Sequence, residues 1–177
     1  KLAIISSFLM LFILVVGYTG YRGIKEVKGL MEIIYNQHYK SSVNITNTKG
    51  NLQAVRAALV TMMSATDKAK MDEQNEIIKN ITADIDKGMK VLLSYDSDER
   101  FKTIKETWEA FRDTRDKELI PFVYEGKIQE AKALALGIQS ERFKKFTGIA
   151  NELIEKAEKN AEKAINDGLS TYKNSIN

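Results

Sequence analysis

IKEVKGLMEIIYNQHYKSSVNITNTKGNLQAVRAALVTMM, Ile24 to Met63, contains no proline and keeps one spacing from end to end. Ile24, Val27, Met31, Ile34, His38, Ser41, Ile45, Thr48, Leu52, Val55, Leu59 and Met62 follow one another at alternating steps of three and four. Such an a/d seam, held over so many heptads, is the signature of coiled-coil-like packing between helices. Three seam positions, His38, Ser41 and Thr48, are polar. Polar seam residues cost stability against leucine and serve to fix register or partner number. The lone His38 reads first as a core or subunit-interface residue.

Working back towards the N-terminus, Leu2 to Tyr18 carries no charge. That length is at the short end of what crosses a bilayer as a helix. A cleaved signal peptide would need a small-x-small exit site, for which VVGYTG is a poor candidate. A buried core helix is the other alternative, although core helices are rarely apolar on every face for so long. No breaker separates this run from the seam, so a membrane helix (1–18) is expected to continue directly into the first helix of the domain that follows (19–177). The basic residues flanking the run do not settle its orientation.

Working forward, SATDKAKMDEQ supplies a loop and an N-cap at Thr66 or Asp67. Met71, Ile78, Ile81, Ile85, Leu92 and Tyr95 then form the stripe of a second helix, about 70–95. YDSDER interrupts it with cap-type residues. A third helix, about 98–124, places Phe101, Ile104, Trp108, Phe111, Arg115, Glu118 and Phe122 on its seam. Pro121 is expected to kink or fray its end, and Gly126 to stand at the C′ position. A fourth helix, about 127–177, runs its seam through Leu134, Ile138, Phe146, Ala150, Leu153, Ala157, Ala161, Ala164, Gly168 and Tyr172. No strand pattern is present. The expectation is an all-α, antiparallel up-down four-helix bundle with long first and fourth helices.

Composition excludes several chemistries. The chain of 177 residues has no cysteine, one histidine and one proline, with 27 basic against 24 acidic residues and a net charge of +3. Disulfides, thiolate metal sites and cysteine nucleophiles are excluded. Interleaved charges give no basic block for nucleic acid. There is no Glu-x-x-His pair for a di-iron centre, no nucleophile elbow and no phosphate-binding glycine loop. No catalytic residues, metal or cofactor are expected. The chain begins without methionine and ends inside a helical pattern, as a fragment would.

Where the seam breaks its own rule, a site is suggested. Arg115 occupies a seam position near Trp108 and Phe111, and Arg56 flanks the seam beside Val55. A guanidinium cannot shed its charge, so burial demands an anion. Arg115 can meet that demand by snorkelling or by pairing with Glu118 or another neighbouring acid. Alternatively, two arginines from different helices face a small carboxylate that enters between them, a job suited to bidentate pairing. Arg112 and Arg142 read as surface residues.

Taken together, these features resemble the four-helix-bundle sensor domain of bacterial methyl-accepting chemotaxis receptors. The likeness covers nearly the whole chain and is carried locally by ATDK (65–68), TWEAFRDTRDKE (107–118) and EGKIQEAKAL (125–134). The resemblance implies a periplasmic or extracellular sensor anchored in the inner membrane and dimerising through its first helix. It also implies a small ligand, often an amino acid or carboxylate, held partly by arginines. Arg56 and Arg115 match such positions, and Trp108 and Phe111, with Arg115, match the family's aromatic, aromatic, arginine pattern; Phe111 stands where a hydrogen-bonding tyrosine could be, and the four are the candidate ligand-binding residues. A second membrane helix would follow Asn177 and lead to cytoplasmic modules. A histidine kinase or cyclic-nucleotide enzyme could carry the same sensor, and a membrane-anchored bundle without a small-molecule site is the alternative of a different class.

Overall fold

The computed structural model describes residues 2–94 and 98–176. Tyr95 and the rest of the loop to Ser97 lie outside the described residues, as do the side chains of His38 and Tyr172. The helical backbone runs without interruption through α1 (Leu2–Ile33), a π-helical stretch (Ile34–Tyr39) and α2 (Lys40–Met63). α3 (Lys68–Leu92) follows. The third arm is α4 (Glu99–Thr114), a second π-helical stretch (Arg115–Leu119) and α5 (Ile120–Tyr124). The fourth is α6 (Ile128–Leu136) and α7 (Ile138–Ile176). The described residues contain no strand, as the patterning required.

Two compact units divide the chain, residues 1–39 with 158–177, and residues 40–157. In the first, α1 holds the helix that is long and apolar enough to cross a membrane, Ile5–Glu32. None of its membrane-length window is buried, and Phe8, Phe12 and Ile13 are all more than half exposed. A helix apolar on all faces and exposed along its length suits lipid and is unlike the core helix of a soluble domain. Within this unit Gly168 admits Leu30, whose Cδ1 lies 2.5 Å from where a Cβ would stand.

The second unit is the bundle. Its core takes up much of the seam read from the sequence: Ile45, Leu52, Val55, Leu59 and Met62 of α2 meet Ile78, Ile85 and Leu92 of α3, joined by Met89, which the spacing did not place. Ile24, Val27 and Met31 of the same seam are exposed. Ile104, Trp108, Phe111 and Leu119 close it from the third arm, with Phe146, Ala150 and Leu153 of α7. The connections confirm the local chemistry. Asp67 caps α3 by accepting from the Lys70 amide at 2.9 Å. Gly126 takes φ 73°, and the bonds Lys127 N to Phe122 O and Gly126 N to Val123 O complete a Schellman stop.

Pro121 leaves the third arm helical; the irregularity is absorbed by the π-helical turn just before it, where the Ile120 amide bonds back five residues to Arg115 O. That widening makes room for a ring that would otherwise clash with the preceding turn. The fourth arm is interrupted at Gly137 (φ −85°, ψ −113°), where a Cβ would stand 2.9 Å from Ala133 O.

α2 and α3 approach closely where Thr48 faces Gly88. A Cβ on Gly88 would lie 2.7 Å from the Thr48 hydroxyl oxygen, which is itself committed to Asn44 O at 2.7 Å. Thr48 is stiff and buried, so it cannot swing aside. Gly88→Ala should therefore cost about 1–2 kcal/mol despite alanine's better helix propensity, and Thr48→Ala should recover most of that loss. A double-mutant cycle of denaturant midpoints checks both. The same part of α2, NITNTKGN (44–51), is poor helix material: its asparagines, threonines and glycine cost about 4 kcal/mol against an alanine run.

Candidate functional site

Arg115 opens the π-helical turn and points inward, with 1% of its surface exposed. Asp116, the next residue, takes two of its donors: Nε at 2.7 Å and Nη2 at 3.0 Å. The expected internal acid is thus Asp116 and not Glu118. Adjacent residues on a regular helix diverge by about 100°, whereas here both reach one bidentate contact at the wide turn. The guanidinium carbon also stands 5.6 Å from the centre of the Trp108 ring. Its third nitrogen, Nη1, is buried and has no hydrogen-bond partner among the described residues.

Trp108 and Phe111 are each 1% exposed and stack with centroids 6.1 Å apart. Trp108 donates its indole N–H to Asp86 of α3 at 2.7 Å, and Arg112 Nη1 binds the same carboxylate at 3.0 and 3.1 Å. The structure therefore brings Arg115, Trp108 and Phe111 together. Arg56 lies elsewhere on the wall, half-buried, with its guanidinium 4.1 Å above the Phe143 ring of α7. Its contact is with that ring, and no bond joins it to Arg115 among the described residues.

Two participants escaped the seam reading. Gln139, 2% exposed, donates Nε2 to Phe111 O at 2.9 Å and leaves Oε1 buried without a partner. Arg142, read as a surface residue, is half-buried and donates Nη1 to Ala110 O at 2.8 Å and to the Thr114 hydroxyl at 2.6 Å. Arg112 is likewise half-buried. Arg142 and Gln139 stand four and seven residues before Phe146, in the register of Phe146, Ala150 and Leu153, and Asp86 draws Arg112 across.

Of the four guanidinium groups on these helices, Asp86 holds that of Arg112 and Asp116 that of Arg115, while Arg56 rests on Phe143 and Arg142 bonds to Ala110 O and Thr114. Arg56 and Arg142 have no carboxylate partner among the described residues. Chemically, this wall favours an anion. Among the described residues no three histidine, aspartate or glutamate side chains converge as metal ligands.

A second charged cluster ties the start of α4 to α7. Asp98 caps α4 through the Arg100 amide at 3.0 Å, holds the Arg100 guanidinium at 2.7 Å, and accepts from Lys156 Nζ at 2.8 Å. Hydrogen bonds from Arg100, then from Lys156, hold its carboxyl well below the usual carboxylate range. A depressed folded-state pKa gives stability that is present above the unfolded value near 4 and is lost as pH falls below it. Asp98→Asn keeps a capping oxygen but removes the charge. It should cost about 1 kcal/mol at pH 7, after discounting for its partly exposed cationic partners. The gap from the parent protein, read from denaturant midpoints, should begin to narrow near about pH 4 and still be narrowing at about pH 2, because the folded-state carboxyl stays ionised well below the usual range.

The sequence model of one family, described as a four helix bundle sensory module for signal transduction, matches residues 1–172. No curated protein and no solved structure shows a significant match.

Proposed function

Since the chain belongs to the four-helix-bundle sensory modules for signal transduction, of the methyl-accepting chemotaxis kind, we propose that it is the extracytoplasmic part of a transmembrane chemoreceptor. In this reading it binds a small carboxylate or amino acid and passes a helix displacement through the membrane. The observation that supports the reading is Arg115: a guanidinium almost wholly buried beside Trp108 and Phe111, with Nη1 unpartnered among the described residues. A carboxylate arriving there would bridge the third arm and α7 through charge-assisted bonds. α7 is helical from Ile138 to Ile176, and packed helices move as rigid pieces over ångström distances.

A second copy would dock along α2. Gln53, Ala54, Ala57, Val60 and Thr61 form an exposed and uncharged face there, which supports a helix–helix contact through the first helix. The exposed apolar α1 supports anchoring in a membrane; in this reading that membrane is the inner one and the bundle lies outside the cytoplasm.

One observation favours a different reading. Asp116 already binds Arg115 bidentately, and Asp86 already binds Trp108 and Arg112. In a bundle that only packs and transmits, these residues would need no ligand. The test is the melting temperature of the full chain, in lipid nanodiscs, against a panel of carboxylates and amino acids. A ligand at a hundred times its Kd stabilises by about 2.7 kcal/mol. A hit lost in Arg115→Met or Arg56→Ala supports the sensor, and a flat panel favours the packing role.

A further inference from the structure

Away from the arginines, α2 and α3 leave between them a cleft of about 560 Å3, within the size range of small-molecule sites. Asn44, Asn47 and Asn51 line it from α2, and Asp84 and Lys87 from α3. Thr48 forms its base, where the close approach at Gly88 sets the depth. Gly50 leaves the α2 wall notched, since a Cβ there would meet nothing within 4 Å. None of the three carboxamide side chains is hydrogen-bonded within the described residues.

We propose that this cleft binds an uncharged, polyhydroxylated molecule of sugar size. Each carboxamide offers an acceptor and two donors, and neighbouring hydroxyls on a sugar present the matching acceptor and donor sides. Charge points the same way. Lys87 Nζ lies 3.4 Å from Asp84 Oδ1, so the only ions in the cleft neutralise each other and attract neither carboxylates nor cations.

The sequence supplies an independent argument. NITNTKGN is the poorest helix-forming stretch of α2, and its asparagines at 47 and 51 and its glycine at 50 bury nothing that packing would need. Local preference broken without a structural return marks a functional position. A cleft lined by those same residues supplies the return. This inference stands apart from the carboxylate reading, because the two sites share no residue.

The test uses the full chain in nanodiscs, titrated with D-glucose and with trehalose and followed by saturation-transfer NMR. Saturable binding of at least one sugar is expected, and at least tenfold weaker binding in Asn47→Ala/Asn51→Ala. The same double variant should melt at a higher temperature than its parent, since alanine is the better helix former, so weaker binding cannot be ascribed to unfolding. Excess succinate should not displace the sugar. Failure of both sugars to saturate, unchanged affinity in the variant, or displacement by succinate would each overturn the proposal.

Discussion

Trp108→Ala is expected to destabilise the bundle by about 4 kcal/mol, within the usual 3–5 for deleting a large aromatic core side chain. The indole is 1% exposed and stacks on Phe111, so its removal leaves a cavity in the core that the surrounding side chains fill only in part. Its loss also removes the N–H bond to Asp86, but Arg112 remains to hold that carboxylate. The charge is therefore not stranded, and the cavity dominates. Against a typical total of 5–15 kcal/mol, the change should lower the melting temperature by roughly 15 °C or more, as read by circular dichroism. Trp108→Phe separates the two contributions: it keeps most of the packing and should lose only about 1 kcal/mol with the hydrogen bond. A loss under 1 kcal/mol in the alanine variant would mean that Trp108 is not the packing centre described here.

The fold was legible because its signal is periodic. Ile45, Leu52, Val55, Leu59 and Met62 were placed in the core by spacing alone, and all are buried, since a helix repeats its facing residues whatever lies opposite. Asp67 and Gly126 were legible for a different reason: capping is decided within four residues of the chain. What spacing cannot encode is any departure from the ideal turn. The π-helical widening at Arg115–Leu119 moves the buried positions that follow from Glu118 and Phe122 to Leu119 and Val123. Gln139 and Arg142 were missed for another reason: they stand seven and four residues before Phe146, on its seam, but are polar. Arg115 was found because a charge on a seam is conspicuous in any register. Its answering acid was not, because Asp116 is a neighbour that a regular helix would point away.

Arg115→Met should leave the bundle as stable as before or slightly more stable. Replacing a buried ion pair by apolar side chains of similar volume is commonly neutral or stabilising, whereas stranding one buried partner costs 3–5 kcal/mol. Here no charge is stranded: Asp116 has 47% of its side chain exposed and rehydrates once released. Methionine nearly fills the volume and can rest its sulfur against Trp108, and the buried donor without a partner disappears. Ligand response should behave in the opposite way. If the guanidinium grips a carboxylate, its removal weakens binding a hundredfold or more, in line with losses of 2–5 kcal/mol for buried charge-assisted pairs. At a concentration a hundred times the parent's Kd, stabilisation by that ligand would fall from about 2.7 to about 0.4 kcal/mol. Thermal melts with and without ligand measure both effects in one series. A stable variant that has stopped responding places the receptor's grip at Arg115. A variant that loses 3 kcal/mol yet responds in full would make Arg115 a packing residue, with Asp116 its permanent partner, and move the search for the ligand to Arg56 and Arg142.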